Sequence, residues 1–252
     1  RASMRAAVRH FRRSTALGAM LGLLVAGTAQ AQTPAAAATA PMGATVTGDG
    51  AARRVVFRTW APNAAKVAVS GDFNGWKEEP MQKEASRPGH WAFESRSARP
   101  GDAYRFVIDG LQHRDPRARA VSQEQNQGTI LDPREFRWGT AAGWKMPPKE
   151  DLVMYEMHLG TFTAGIPGTG SPFERAVKRL PYLKALGINC IQLMPVNEFT
   201  GERSWGYNPG DLFAVESTYG GADGFKTFVR TCHTNGIAVL LDVVHKHYGP
   251  SD

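Results

Sequence analysis

Residues 236–250 read GIAVLLDVVHKHYGP, an apolar run that ends in an aspartate and two histidines. A continuous apolar segment of this length, here 237–244, is typical of a strand that is buried on both faces of a parallel sheet. Two similar runs precede it at 152–157 and 188–193. The polar residues that follow the third run are therefore expected at the carboxyl end of a parallel sheet, where such sheets place their functional side chains.

Helical patterns separate these three strands. The first helix is predicted over 171–187, starting with a serine N-cap, a proline and a glutamate that together form a capping box. Pro181 lies inside this pattern and predicts either a kink or a new helix start, because proline lacks the backbone donor. A long loop is predicted at 194–221, and the second helix begins at Asp223. Strand, helix, strand, helix and strand in this order predict parallel β/α units.

The preceding region, 46–137, has a different rhythm. Short alternating segments, typical of half-buried strands, are separated by proline, glycine, asparagine and aspartate turns. This pattern predicts a small antiparallel β-sandwich, joined by a connector at 138–150 to the β/α region at 151–252. The strand candidates are 55–60, 66–69, 90–94 and 103–108.

The positive charge is concentrated at the N-terminus. The formal net charge is +7, but residues 1–31 contain five arginines and no acidic residue, and the remainder holds 25 basic and 23 acidic residues. Such a balance provides no basic field for nucleic acid, so no nucleic-acid partner is predicted. The basic stretch, short apolar run and Ala-Gln-Ala sequence of residues 1–31 predict a secretory signal, with an N-terminal membrane anchor as the alternative. A flexible linker is predicted at 32–45, and the mature protein is expected in the periplasm or outside the cell.

Cys190 and Cys232 are far apart and form no zinc-binding pattern. Export would permit a disulfide between them. Two buried thiols, one on a strand and one on a helix, are the favoured prediction, since a free cysteine behaves as a small apolar residue.

Five stretches of the sequence, in chain order, are distinctive: RRVVFRTWAPNAAKVAVSGDFNGW (53–76), LVMYEMHLGTF (152–162), LKALGINCIQLMPVNEF (183–199), WGYNPGDLFAVESTYGG (205–221) and the segment quoted first. Together they resemble the α-amylase superfamily (glycoside hydrolase family 13). The first resembles the carbohydrate-binding-type sandwich that precedes the barrel in glucan branching enzymes, isoamylases and trehalohydrolases. The others resemble the first barrel strand, the first helix with the second strand, the loop lining the sugar subsite, and the first conserved region of the superfamily.

The resemblance implies a (β/α)₈ TIM barrel whose active site lies at the carboxyl ends of its strands. Residues 151–252 account for three of those eight strands, so the chain is expected to be an N-terminal fragment of a longer enzyme. The nucleophile, the general acid and the transition-state-stabilising aspartate of the family are expected beyond residue 252. No catalytic residue is therefore predicted within the chain.

The resemblance also assigns roles to residues near the quoted segment. Tyr207 is implied as an aromatic platform under a sugar ring, with a core tyrosine as the alternative. His247 is implied as a hydrogen-bond donor to the same sugar, and Asp242 as a residue that organises the pocket without being the nucleophile. His158 and Glu156, at the end of the first strand, are expected to be structural hydrogen-bonding residues.

Two alternatives involve metals. His245 and His247 form an H-x-H pair near Asp242 that could suggest a zinc site, but the pattern does not supply the full set of four ligands that such a site needs. Lys246 occupies a position where the family usually has an asparagine that helps to bind calcium, and an ammonium group has no lone pair for a cation. No metal and no cofactor are predicted.

Trp76 and Trp91 are candidates for a carbohydrate-binding surface on the sandwich. Packing in the core or between domains is the favoured reading for both, since tryptophan is highly buried on average. Trp60, within the TWAP stretch, is expected to pack inside.

The function implied by the resemblance is retaining chemistry on α-glucans, in which a carboxylate attacks the anomeric carbon and a second carboxyl group acts as acid and then base. The leading hypothesis is a 1,4-α-glucan branching enzyme. A secreted hydrolase of the trehalohydrolase or α-amylase type is the alternative, which export favours. A third hypothesis, from another class, is a non-catalytic glucan-binding protein.

Overall fold

The computed structural model describes residues 40–122, 124–165, 169–201, 203–247 and 249. The predicted secretory signal at 1–31 and the linker up to residue 39 lie outside the described residues. Within the described part of the chain, no helix is both long enough and apolar enough to cross a membrane.

The predicted antiparallel sandwich is confirmed, and it is built from two facing sheets. One sheet has the strand order β1-β2-β6-β5, and the other has the order β4-β3-β7-β10-β9, with β8 paired to β7. The strands are β1 Gly43–Thr47, β2 Arg54–Trp60, β3 Val67–Gly71, β4 Glu79–Pro80, β5 Gln82–Lys83, β6 His90–Ser95, β7 Ala103–Ile108, β8 Leu111–His113, β9 Val121–Ser122 and β10 Gln127–Thr129.

Aromatic side chains fill the space between the two sheets. Phe57 on β2 is fully buried and stacks on Phe73 and on the edge of Tyr104, each at a ring-centroid distance of 5.1 Å. Strand β7 has the predicted bounds, whereas β1 begins at Gly43, inside the segment predicted as linker. That prediction was wrong for residues 43–45, because their backbone pairs in register with β2 and an alanine- and glycine-rich sequence gives no period-2 signal.

Short 3₁₀ turns occupy the connections, including the connector between the two regions. Phe136, at the end of the sandwich region and just before the connector, packs against two cations of the second predicted helix, Lys226 and Arg230, at 5.2 and 5.1 Å from its ring centroid. Such contacts attach the end of the sandwich region to the β/α region. The 3₁₀ turns are Gly50–Ala52, Asp72–Asn74, Pro133–Glu135, Gly139–Gly143, Lys149–Asp151 and Ser217–Tyr219.

The predicted parallel β/α units are also confirmed. Strands β11, β12 and β15 form a parallel sheet in that order, and the strands are shorter than their apolar runs. The elements are β11 Met154–Met157, α1 Leu159–Phe162, α2 Pro172–Val177, α3 Leu180–Ala185, β12 Cys190–Leu193, β13 Asn197–Phe199, β14 Pro209–Val215, α4 Gly221–Thr234 and β15 Ala238–Leu241.

The first predicted helix is in fact two helices, α2 and α3. Ser171 caps α2, and its hydroxyl and the Glu174 carboxylate form the predicted capping box. Pro181 lies in the first turn of α3, where a missing N–H costs nothing because that donor has no intrahelical partner. Of the two predicted outcomes at Pro181, a new helix start is therefore the one observed.

The segment 194–221 was predicted as a loop, and this prediction was wrong for two stretches of it. Strands β13 and β14 pair as an antiparallel hairpin with two irregularities in register. The strands are short, and bulges interrupt the alternation from which a hairpin would be recognised.

One buried apolar cluster holds the β/α region together, with Phe173, Leu183, Ile191, Phe228 and Cys232 among its members. Cys190 and Cys232 are both buried and both free. The favoured prediction of two buried thiols is therefore confirmed.

Candidate functional site

Polar side chains gather where the parallel strands end. Glu156 on β11 and Gln192 on β12 are in-register partners, and the Gln192 amide donates to Glu156 Oε1 at 3.3 Å. Asp242 follows β15, and its backbone N–H donates to Leu193 O at 2.9 Å. This bond extends the parallel ladder by one residue and fixes the backbone of Asp242 at the carboxyl edge of the sheet.

Tyr207 reaches this edge from the loop of the hairpin. Its hydroxyl donates to Asp242 Oδ2 at 2.7 Å, and the side chain is 37% exposed. The alternative of a core tyrosine is therefore wrong. The hydrogen bond to Asp242, together with partial burial, raises the pKa of Tyr207 to about 12. The phenol is consequently neutral at physiological pH and remains a donor to the carboxylate.

Gly206 allows the loop that carries Tyr207 to pass very close to the backbone of Pro195. Gly206 has φ +88° and is buried, and an added Cβ would collide with the carbonyl oxygen of Pro195. Its N–H donates to Ser204 Oγ at 3.0 Å, and that hydroxyl donates to Asn208 Oδ1 at 2.6 Å. The Trp-Gly-Tyr sequence therefore needs glycine at its centre for both backbone conformation and space.

His158 directly follows β11 and hydrogen-bonds to the loop that carries Tyr207. The end of β11 is therefore connected to this loop as well. Its Nε2 lies 2.9 Å from Ser204 O, so this nitrogen donates in the neutral ring, and Nδ1 accepts from the Thr161 hydroxyl at 2.9 Å. The Tyr219 hydroxyl approaches Nε2 at 3.4 Å. These contacts fit the predicted structural role of His158.

A cavity of about 810 Å³ opens beside His158. It shares the loop segment around Ser204 with the Tyr207 site and lies next to the exposed indole of Trp205, which is 70% accessible. Its other lining residues include Thr161, Arg175 and Tyr219.

The histidines of the quoted segment lie at the surface. His245, Lys246 and His247 are exposed. Tyr248 and Pro250 lie outside the described residues. In the part of the chain that the structure describes, no group of three or more histidine, cysteine, aspartate and glutamate side chains is arranged to hold a metal ion. The role of His247 toward a sugar stays a prediction.

The three tryptophans of the sandwich differ in environment. Trp91 is 6% exposed and its indole N–H donates to Ala61 O at 3.0 Å. The favoured prediction of core packing is therefore confirmed for Trp91, and the alternative of a glucan-binding surface is wrong for this residue. Trp60 is 57% exposed, contrary to the expectation that it packs inside. Trp76 is 38% exposed, with the Arg105 guanidinium 4.9 Å from its ring centroid, and its carbohydrate contact stays a prediction.

Sequence reasoning missed the buried carboxylates of the hairpin. Glu198 is 3% exposed and accepts from Ser217 N at 2.7 Å and Ser217 Oγ at 3.1 Å. Burial, and next the nearby Glu216, raise the pKa of Glu198 to about 7. A glutamate directly before Phe199 and two positions after Val196 is the signal that could have indicated a buried polar group.

The fold and the site together define a class: a β-sandwich module joined to parallel β/α units, with aromatic and acidic side chains gathered at the strand ends. Comparison of the sequence with known protein families identifies the same two parts. Residues 41–133 match carbohydrate-binding module 48, the isoamylase N-terminal domain, and residues 133–251 match the α-amylase catalytic domain. The chain therefore belongs to the α-amylase superfamily, with the module followed by part of the catalytic domain.

The curated relatives include enzymes of two types. The chain is 36% identical to the malto-oligosyltrehalose trehalohydrolase of Saccharolobus solfataricus over 197 residues, which cover 78% of this chain and 33% of that protein. It is 33% identical to a 1,4-alpha-glucan branching enzyme of Pseudoalteromonas atlantica over 212 residues, covering 78% of this chain and 29% of that protein. The chain thus spans about a third of the length of the curated relatives it matches.

Solved structures show the same architecture. A candidate α-amylase from Salmonella typhimurium superposes with a TM-score of 0.72 at 38% identity, covering 83% of this chain and 34% of that one. A pullulanase from Anoxybacillus sp. LM18-11, solved with maltotetraose, gives a TM-score of 0.63 at 26% identity, covering 82% of this chain and 35% of that one.

Proposed function

We propose that the full-length protein containing this chain is a retaining enzyme that acts on α-glucans. The observation that carries the proposal is the Tyr207–Asp242 pair at the carboxyl edge of the parallel sheet, where the hydroxyl and carboxylate are 2.7 Å apart. A sugar ring has an apolar C–H face and a polar rim of hydroxyl groups. A partly exposed phenol ring beside a fixed carboxylate offers a partner for each.

The residues of this chain bind and orient the sugar in this proposal. The ring of Tyr207 stacks under one sugar, and Asp242 accepts a hydrogen bond from the phenol, which fixes the ring plane. His247 donates to the same sugar. The neighbouring cavity and the exposed indole of Trp205 offer space and an apolar face for adjoining sugars. The attacking carboxylate and the acid–base carboxyl group of a retaining mechanism are not assigned to residues of this chain.

Two finer functions are candidates, distinguished by the acceptor of the glucosyl group. Branching, in which a glucan hydroxyl is the acceptor, is supported by relatives such as the enzymes of Pseudoalteromonas atlantica and Dechloromonas aromatica, at 33% and 35% identity. Hydrolysis of the trehalohydrolase type, in which water is the acceptor, is supported by somewhat higher identities of 36–38%. The predicted export favours hydrolysis as well, since branching serves storage polymers inside cells.

Product analysis of the full-length protein separates these functions. The protein is incubated with amylose and, separately, with a malto-oligosyltrehalose, and reducing ends, α-1,6 linkages and free trehalose are quantified. New α-1,6 linkages without a matching rise in reducing ends identify branching, and release of trehalose identifies the trehalohydrolase type. Full-length protein that binds amylose and changes none of these quantities would support the non-catalytic glucan-binding hypothesis instead.

We also propose that the protein is exported, which the basic and apolar pattern of residues 1–31 supports. Expression of the complete gene in its host, followed by fractionation and N-terminal sequencing, tests this. A mature N-terminus near residue 32 in the periplasm or medium is expected. Cytoplasmic protein that retains residues 1–31 would contradict export.

A further inference from the structure

A buried ion pair joins the sandwich to the hairpin that carries Tyr207. Arg114, which follows β8, donates through Nε to Asp211 Oδ1 on β14 at 2.9 Å. The two side chains are 7% and 6% exposed. The guanidinium is oriented by a second bond, from Nη1 to Asn126 Oδ1 at 3.0 Å. The sandwich therefore supplies a desolvated cation to the β/α region.

Asp211, the carboxylate that Arg114 contacts, belongs to a set of buried carboxylates on the hairpin and on the turn that follows it. Asp211 is the in-register partner of Glu198, and Glu216 is 1% exposed. Serine and threonine groups of the 3₁₀ turn donate to Glu198 and Glu216. Asp211 Oδ2 is buried without a hydrogen-bond partner among the described residues. Asp211 therefore depends on Arg114 for compensation of its charge.

The hairpin in turn holds the sugar site. The loop from β13 to β14 contains Tyr207, which precedes the first residue of β14 by two positions. Asn197 Nδ2 donates to Leu212 O at 2.7 Å across the hairpin. A change in the pairing of β13 with β14 would therefore move Tyr207 relative to Asp242, which belongs to a different strand.

We propose that Arg114 is a positioning residue for the sugar site: by compensating Asp211, the sandwich holds the hairpin in the register that presents Tyr207 to Asp242. This inference rests on the proposed function of Tyr207 in binding an α-glucan. It gives the sandwich a role in building the site that does not depend on any glucan bound to the sandwich itself.

A purely stabilising ion pair is the competing explanation. Removing one partner of a buried pair leaves the other charge uncompensated and destabilises a protein strongly. Stability alone, however, would lower the unfolding temperature without a specific effect at Tyr207. The two explanations therefore differ in what happens to the hairpin loop and in how the effects of substitutions at Arg114 and Tyr207 combine.

The experiment compares full-length wild-type protein with Arg114→Gln, Arg114→Lys and the matched control Arg117→Gln. Arg117 lies on the same sandwich segment and stacks on the half-exposed Phe213 of β14 at 4.6 Å, but it does not pair with Asp211. Hydrogen–deuterium exchange over residues 203–208 is measured below the unfolding temperature of each variant. We expect faster exchange of this segment in Arg114→Gln, partial restoration in Arg114→Lys, and wild-type exchange in Arg117→Gln.

Kinetics provide the second measurement, with kcat and KM on a maltooligosaccharide for Arg114→Gln, Tyr207→Ala and the double variant. Misplacement of a positioning group costs on the order of ten- to a hundredfold in kcat/KM. Because Arg114 acts through Tyr207, the double variant should lose no more than about twofold beyond Tyr207→Ala, whereas independent effects would multiply.

Each outcome decides one proposal. Unchanged exchange over 203–208 in a folded Arg114→Gln variant, or multiplicative kinetic losses, would overturn the positioning role. Wild-type protein without activity on any α-glucan would overturn the proposed function, and the exchange experiment would still decide whether Arg114 holds the loop. If Arg114→Gln does not fold, Arg114→Lys serves as the decisive variant, because it keeps the charge but loses the oriented Nε–H bond.

Discussion

The contact between Tyr207 and Asp242 joins two residues that are 35 positions apart in the chain. The phenol supplies both an apolar face and a hydrogen-bond donor, and the two can be separated by substitution. Tyr207→Phe keeps the ring but removes the bond to Asp242. We expect a fall of about tenfold in kcat/KM on a maltooligosaccharide, as for loss of one positioned hydrogen bond.

Tyr207→Ala removes the ring as well and should lower kcat/KM further than Tyr207→Phe. Steady-state kinetics of the full-length variants check both predictions. Equal effects of the two substitutions would show that the ring contributes nothing by stacking.

In the sandwich, Trp91 is buried and Trp76 is partly exposed, so substituting each of them tests how strongly burial of the indole contributes to stability. Trp91→Ala should lower the free energy of unfolding by about 3–5 kcal/mol, because it removes a buried indole and leaves a cavity. Trp76→Ala should change it much less, since the side chain is 38% exposed. Urea unfolding of the full-length variants measures both. A loss at Trp76 as large as that at Trp91 would contradict this difference in burial.

At the scale of elements, the strands and helices with clear periods were predictable and the irregular ones were not. Strand β7 has the bounds predicted from its alternating pattern, and the capping box at Ser171 locates the start of α2. The sequence predicts either a kink or a new helix start at Pro181. It does not decide between them, because it does not show whether the helix continues through the turn before this proline. The hairpin of β13 and β14 escaped prediction because its pairing is bulged and each strand gives little alternation.

The buried glutamate of this hairpin makes a prediction about pH. Burial and the neighbouring Glu216 raise the pKa of Glu198 from 4.5 to about 7, so the folded protein holds a proton that the unfolded chain releases at lower pH. The stabilisation from protonated Glu198 is therefore fully present below about pH 4.5 and is lost as the pH rises through about 7. The contribution amounts to at most about 1.4 kcal/mol per pH unit.

Glu198→Gln should remove this contribution, because the amide is neutral at every pH. Urea unfolding of wild type and variant between pH 4.5 and 7.5 measures the difference in slope. Asp115, whose pKa is raised to about 6 mainly by burial, contributes a similar decline in both proteins and serves as the internal reference. Identical slopes in wild type and variant would contradict the raised pKa of Glu198.

At the scale of the whole molecule, the burial of the two cysteines predicts that the folded protein resists modification by thiol reagents. Cys190 and Cys232 are buried and free, and burial raises the pKa of both thiols. Alkylation of the folded full-length protein, mapped by mass spectrometry, should leave both peptides unmodified until the protein is unfolded. Because Cys190 and Cys232 form no disulfide, a reductant acting on these two residues should leave the unfolding temperature unchanged. Rapid labelling of either peptide in the folded protein would contradict the burial.

The two-part architecture was predictable because the sequence changes from short alternating segments to long apolar runs separated by helical patterns. The attachment of the two parts was not. Arg114 and Asp211 are 97 residues apart, and neither has a local pattern that distinguishes it from a solvated charge. The same holds for the tryptophans: composition favours burial for all, and only the tertiary packing places Trp91 inside and Trp60 outside.

In the proposed function, Tyr207 and Asp242 of this chain form one wall of an α-glucan site. We would measure kcat/KM of the full-length protein on a maltooligosaccharide for wild type, Tyr207→Ala and Asp242→Asn, with Arg117→Gln as a folded control. We expect measurable turnover by wild type, losses of about tenfold or more for the two site variants, and nearly unchanged turnover by the control. Wild-type protein without turnover, or site variants as active as wild type, would contradict it.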